Sequence, residues 1–341
     1  MDAVLTTMVE DKIGPGERSR LLLQTAKEYL HFDYALSLRS PAIALMLALR
    51  ALNPERGQGV IISALSPRYY VNVIKDMGLC PMFCDVSLTF PCMSREAVEQ
   101  TLAEKAQTAV CIVLHHTLGF LPDTASIAAL GLPVIEDISQ SFNVAFGADN
   151  DKKSQPDNEP VKERAHGVFT ILGLEERDML TCGGGALLCA NNRRDGAMLR
   201  NFGELPPEFC LPDINAALAV VQFRESRRNI EKRSSISQVY VQSSLRTHHK
   251  RFIPLNDCEY NNFAFPLVLE TGLKDVLAYA RKKDIVLENA FENTIAAAGS
   301  GEIDKCPVSY SLSLRTVLFP LYPRLRSTEI ERVSKLIAAI P

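Results

Sequence analysis

Four short apolar runs alternate with helical stretches across the first half of the chain, and this alternation limits the fold more than any other feature. The runs are GVIISA, PMFCDV (81 to 86), TAVCIVLHH (108 to 116) and LPVIED (132 to 137), separated by helical patterns around 68 to 77, 94 to 105 and 123 to 130. Continuous β-rich runs with no polar alternation are strands covered on both faces, and strands linked through helices must run parallel. The implied class is α/β, with a mostly parallel sheet flanked by helices and right-handed crossovers.

Other segments fit this frame. Apolar spacing makes ERSRLLLQTAKEYL (17 to 30) an amphipathic helix, and PAIALMLALRAL (41 to 52) a buried one. The stretch 147 to 167 has almost no apolar residues and carries two prolines, so it is expected to be an exposed loop. GVFTIL and GALLCA follow as strands, then helices around 191 to 200 and from Pro212 to about 245. Beyond 250, FAFPLVLE and DIVLE read as strands, and 271 to 283 and 327 to 339 as helices. The expected organisation is a large unit over 1–245 and a small C-terminal α/β unit over 246–341, within the size range of a two-unit chain.

Composition excludes several function classes. The net charge is -3, from 37 Lys plus Arg against 40 Asp plus Glu, so nothing draws the chain to nucleic acid or anionic lipid. No apolar run is long enough to span a bilayer, and the N-terminal residues have no signal-peptide pattern, so a cytoplasmic protein is expected. The nine cysteines are odd in number and mostly lie among apolar neighbours, which reads as reduced core thiols. Cys80 and Cys84 have no second pair or nearby histidine, so no metal site is expected.

Seven stretches, in order, carry a resemblance: LMLALRAL, MGLCPMFCDV, HHTLGFLPD, LPVIEDISQSF, GGGALL with LRNFG, PDINAALAVVQF, and RTVLFPLYPRLRSTEIERVSKLI. Together the chain resembles the DegT/DnrJ/EryC1/StrS family of pyridoxal-phosphate-dependent aminotransferases, which aminate nucleotide-linked keto-sugars. The resemblance implies the type I fold of these transferases and a homodimer with shared active sites.

Pyridoxal phosphate needs an amine for the Schiff base, a carboxylate for its ring nitrogen, and donors for its phosphate. By the resemblance Asp137 is that carboxylate, Gln140 matches the contact to the ring hydroxyl, and Thr170 matches a phosphate-binding hydroxyl. Asp137 would equally serve as a helix cap. The amine is missing. Glu175 stands at the family's lysine position counting forward from Phe169, and Arg177 counting back from the glycines; neither side chain forms an imine. The alignment register does not matter, because no lysine occurs between Lys162 and Lys232, and the nearest histidine, His166, precedes the strand.

Other contacts are altered too. Where the family has Ser-Gly-Thr at a helix N-terminus, a favoured phosphate site, this chain has Ser40, Pro41 and Ala42. Proline there preserves the helix and deletes a donor. The stacking aromatic aligns with Pro67, Tyr69 or Tyr70 replacing it only if the turn shifts. The partner-subunit asparagine and arginine fall at Glu208 and Cys210, where a carboxylate would repel phosphate.

Simpler readings cover the rest. His116 matches a family histidine, and like His115 it reads as a structural strand-end residue. Gly183, Gly184 and Gly185 read as a tight turn with positive φ, and LEERD (174 to 178) as a solvated turn.

Three functions follow, in this order. The first is a degenerate homologue without the internal aldimine: a non-catalytic binding or partner protein, homodimeric or paired with an active relative. No cofactor is then expected, pyridoxal phosphate binding at most non-covalently, and a sugar nucleotide remains a possible ligand. The second is a repurposed enzyme acting on a sugar nucleotide without the cofactor, through Asp137, Glu175 or His116. The third is a working sugar aminotransferase whose lysine comes from an unexpected segment.

Overall fold

In the computed structural model, residues 2–9, 13–104, 108–142, 167–255, 260–270, 272–299 and 305–340 are described. Helices α1 (Asp2–Val9) and α2 (Glu17–Leu30) precede β1 (Tyr34–Leu38) and the buried helix α3 (Pro41–Ala51). The alternating region follows as β2 (Gly59–Ser63), α4 (Tyr69–Asp76), β3 (Cys80–Cys84), α5 (Arg95–Glu104), β4 (Ala109–His115), α6 (Thr124–Ala128) and β5 (Val134–Asp137). Then come β6 (Phe169–Gly173), β7 (Ala186–Ala190), α7 (Arg193–Arg200) and the long helix α8 (Asp213–Ser244).

These strands form one seven-stranded sheet in the order β1-β7-β6-β5-β4-β2-β3. Strands β6, β5, β4, β2 and β3 pair in parallel, while β7 runs antiparallel to both β6 and β1. The mostly parallel α/β class expected from the sequence is therefore the class observed. Apolar clusters cover both faces of the sheet: α3 and α4 pack on one, and α2, α5, α6 and the first half of α8 on the other.

Helix α2 starts after Gly16, which has no side chain with which to cap it. Asp213, the first residue of α8, supplies the cap across the chain: its Oδ1 accepts from the N–H groups of Gly16 and Ser19, and its Oδ2 from that of Arg18, each at 2.9 Å. A buried carboxylate at a helix N-terminus satisfies orphan donors and complements the helix dipole. This fixes the start of α8 against α2.

The C-terminal part contains β8 (Phe265–Val268), α9 (Leu273–Arg281), β9 (Glu288–Asn289), α10 (Pro307–Arg315), β10 (Thr316–Phe319) and α11 (Ser327–Ile337). A three-stranded antiparallel sheet, β8-β10-β9, packs with α9, α11 and the second half of α8 around Tyr240, Leu267, Val276 and Ile337. Three expectations need correction or addition here. DIVLE is not a strand: only its last residue, Glu288, is paired, opposite Leu318, and Val286 is 75% exposed. Strands β1 and β10 and helices α1 and α10 were not expected from the sequence: serines interrupt β1 and α10, and the apolar run of β10 is only four residues long. The stretch read as an exposed loop lies, apart from Gly167, outside the described residues, as does His166. No described helix is long and apolar enough to cross a membrane.

Candidate functional site

The C-terminal ends of the parallel strands form the site, as in other open α/β sheets. Strand β4 ends at His115 and β5 at Asp137, and the pairing His115 with Asp137 with Ile171 puts these three side chains on one face. That face looks toward α3 and α4. Beneath it lies a cavity of about 210 Å³, bounded by Pro41, Pro67, Tyr69, His115, Asp137, Ser139, Gln140, Glu175, Arg177, Asp178 and the segment 289–294. A larger cleft of about 580 Å³, between the two sheets, shares Leu118, Gln140, Arg177, Asp178 and Asn289 with it.

Asp137 is buried, and both its oxygens are taken by this chain. The hydroxyl of Tyr70, on α4, donates to Oδ2 at 2.5 Å. Oδ1 accepts from the Ser139 N–H at 3.0 Å and from the Ser139 hydroxyl. Ser139 Oγ in turn accepts from the Gly173 N–H at 2.7 Å, stitching the end of β5 to that of β6. Burial, and then the Asp137 carboxylate, push the Tyr70 and Tyr69 phenols well above their ordinary range, so both keep their protons.

Beside Asp137 stands Asp178, which the sequence had placed in a solvated turn. Its Oδ2 accepts from the Glu175 N–H at 2.8 Å and packs against Gly173. Burial, and next the nearby Asp137 carboxylate, push the Asp178 carboxyl up to about 7. A Cβ at Gly173 would collide with Asp178 and stand 2.8 Å from Ser139 Oγ, so glycine is required by close approach.

The two candidates for the lysine position sit at the edge of this cavity. Glu175 Oε1 accepts from the Gly185 N–H at 3.3 Å. Arg177 points outward to Glu288, with 3.5 Å between Nη1 and Oε2. The expected glycine turn is present: Gly183, Gly184 and Gly185 have φ of 77°, 125° and 128°.

Other residues fall elsewhere than the resemblance implied. Thr170 pairs with Glu136, on the face opposite Asp137, and its hydroxyl is 3.5 Å from Asn191 Nδ2. It does not line the cavity, because neighbouring residues on a strand point to opposite faces. His116 is also on that far face, its Nδ1 2.7 Å from Ser141 Oγ and its Nε2 3.4 Å from Glu136 Oε2. Although burial raises the Glu136 carboxyl, His116 and the donors Gly167 N–H and Thr124 Oγ1 outweigh it and hold the group below its usual range. The histidine in the cavity is His115. Gln140 lines the cavity, with its Oε1 taken by the Leu118 N–H at 2.6 Å. Pro67 lines it too, and Tyr69 follows in the same turn. Ser40 Oγ caps α3 by accepting from the Ile43 N–H at 3.3 Å, with Pro41 in the first turn and Ala42 lining neither cavity. Glu208 is exposed, and neither it nor Cys210 lines either cavity.

Sequence reasoning missed Asp178, Ser139 and the role of Tyr70. An Asp followed two residues later by a backbone N–H partner is a recognisable turn signal, and Asp137-Ile138-Ser139 carries it. Nothing local in LEERD marks its last residue as half-buried beside Asp137.

A large mostly parallel sheet with a carboxylate at the end of its β5 strand, joined to a small antiparallel sheet, is the architecture of type I pyridoxal-phosphate-dependent transferases. The chain belongs to the DegT/DnrJ/EryC1/StrS aminotransferase family, whose sequence model matches residues 1–338. Among solved structures, a DegT DnrJ EryC1 StrS aminotransferase from Brucella abortus superposes with a TM-score of 0.84 at 19% identity, over 98% of this chain and 93% of that one. The aminotransferase from Psychrobacter cryohalolentis gives 0.83 at 17%, over 98% and 94%.

Sequence relatives include the dTDP-4-amino-4,6-dideoxy-D-glucose transaminase of Escherichia coli, 23% identical over 91% of this chain and 86% of that protein. The L-glutamine:2-deoxy-scyllo-inosose aminotransferase of Streptomyces fradiae is 26% identical over 59% of this chain, a match spanning 44% of that protein. GDP-perosamine synthase of Escherichia coli O157:H7 is 34% identical over 35% of this chain and 33% of its own length.

Pyridoxal phosphate is the family's cofactor, and the residues lining this cavity do not fit it. A ring nitrogen would have to share Asp137 with Tyr70 and Ser139, which already donate to its two oxygens. The first turn of α3 offers a proline, with no N–H, and a serine already used as a cap. No lysine lines the cavity among the described residues, and Asp137, Glu175, Asp178 and Glu292 outnumber Arg177.

Proposed function

We propose that this chain is a non-catalytic binding or partner protein built on the sugar-aminotransferase scaffold, with a large unit over 1–245 and a small one over 246–341. The observation that carries the reading is Asp137: its two oxygens are held by Tyr70 and Ser139, in a cavity lined by further carboxylates and, among the described residues, no lysine. An anionic phosphate introduced there would face like charge in a poorly solvated site. No internal aldimine forms, and the protein works without the family cofactor.

The names of the relatives support a sugar-linked role, and the 580 Å³ cleft between the sheets is where a sugar nucleotide would lie. The working state is a cytoplasmic homodimer, or a heterodimer with an active relative. The test is incubation of the purified protein with pyridoxal phosphate, then borohydride reduction and mass spectrometry. The expected mass is that of the unmodified chain, and a reduced pyridoxyl adduct on any amino group would overturn the reading.

One observation favours a second reading, an enzyme acting on a sugar nucleotide without the cofactor. Asp178, pushed up to about 7 beside Asp137, is poised to exchange a proton near neutral pH. Turnover of a nucleotide sugar by the cofactor-free protein, lost in Asp178→Asn, would establish it.

A further inference from the structure

The polar groups that remain free in the 210 Å³ cavity are mainly hydrogen-bond acceptors. His115 is 4% exposed and lines it. Its Nδ1 lies 3.0 Å from Thr117 Oγ1, whose own proton is directed at the His115 carbonyl at 3.5 Å. Nδ1 is thus paired with Thr117, and Nε2 has no hydrogen-bond partner among the described residues. Burial holds the imidazole below its usual range, so the ring stays neutral and accepting.

Around it, Asp178 engages only Oδ2 among the described residues, and Glu175 lies alongside. Arg177, the only Lys or Arg among the described lining residues, is drawn outward by Glu288. Gln140, its Oε1 already bound, keeps its amide N–H donors for a hydroxyl. The volume lies below the roughly 300 Å³ at which pockets for drug-sized ligands begin, which restricts the ligand to a small one.

We infer that this cavity binds a small hydroxylated organic cation, its ammonium group donating to Asp178, Glu175 and Nε2 of His115. The inference rests on the reading that no cofactor imine occupies the site. An ammonium group brings donors and positive charge to a place supplied with acceptors and negative charge, whereas an anion brings the opposite of both.

Calorimetric titration of the full chain with D-glucamine and with D-sorbitol, at about pH 8 where an alkylammonium stays charged, tests this directly. The two probes differ by one ammonium in place of one hydroxyl. Glucamine is expected to bind about tenfold or more tighter than sorbitol, as charge-assisted bonds in a desolvated site require. Asp178→Asn, which keeps an oxygen for the Glu175 N–H, should weaken glucamine about tenfold and leave sorbitol unchanged. Glu175→Gln, at a half-exposed position where folding is not at stake, should weaken glucamine in the same direction. Equal binding of the two polyols, no binding of either, or tighter binding of inorganic phosphate would overturn the inference. None of these results depends on a pyridoxyl adduct, so this inference and the functional reading fail separately.

Discussion

The Tyr70 hydroxyl and Asp137 Oδ2 lie 2.5 Å apart, on the carboxylate that the family resemblance assigns to a cofactor ring nitrogen. The bond spans two elements, joining the first turn of α4 to the tip of β5, and both residues are buried. Tyr70 thereby does for Asp137 what a ligand would do elsewhere: it supplies one strong donor to a carboxylate removed from water.

Tyr70→Phe keeps the ring and its packing while removing that donor. A buried carboxylate oxygen left without it is expected to cost about 2–3 kcal/mol, read as a lower urea midpoint with unchanged slope. A midpoint equal to the parent protein's would show that the bond contributes nothing to the fold.

Asp178 gives the protein a pH-dependent stability with a definite sign. Its carboxyl titrates at about 7 when folded against an ordinary value of 3.8, so the unfolded chain releases this proton first. Its neighbours are Glu175 and Cys182 on its own turn, Asp137 from β5 and Tyr69 from α4. The stabilising contribution of the protonated form is complete below the unfolded value, declines as pH rises, and is gone above the folded value. Asp178→Asn should match the parent near pH 4 and exceed its stability at about pH 8, by a few kcal/mol at most. Urea unfolding across that range checks it; a constant difference at all pH values would contradict the assignment.

Asp213 holds three backbone donors at the start of α2. Asp213→Ala should lose about 2–4 kcal/mol, more than a single surface cap, because several charge-assisted bonds in a buried place disappear together. Amide exchange in residues 16 to 19 should accelerate more than in the core of the sheet, which locates the loss.

Gly173→Ala puts a methyl group against Asp178 and Ser139. Either the end of β6 or the 174–178 turn must shift, and a destabilisation of about 1–3 kcal/mol is expected, as for other overpacked sites. The Tyr69 fluorescence should change with it, since the displaced Asp178 carboxylate acts on that phenol.

How much of this was readable in the sequence depended on whether a property was local. The parallel sheet was legible because GVIISA and TAVCIVLHH are covered on both faces and so carry no polar alternation. Helices α2 and α3 were legible from periodicity and from the Ser40-Pro41 start. Strand β1 was not: YALSL includes a polar serine, and it becomes a strand only by pairing with β7. Asp137 was legible as the end of an apolar run. Asp178 was not, since its approach to Asp137 and Ser139 is made by the fold and by the missing side chain of Gly173. Thr170 shows the converse error: a residue type matched by order along the chain ended on the wrong side of a strand, one position away from the face that mattered.

The 32-residue helix α8 is about 48 Å long, and its two halves lie in different apolar cores. Near its middle, Arg233 Nη1 donates to the carbonyls of Phe263 and Leu321, each at 2.7 Å. The helix is thus a beam clamped at both ends and pinned at its centre. The small sheet is braced by that beam on one side and by the Ile295 and Ala296 N–H groups, bonded to the carbonyls of Ser66 and Ala64, on the other, so whatever enters between the sheets meets a gap held from two sides.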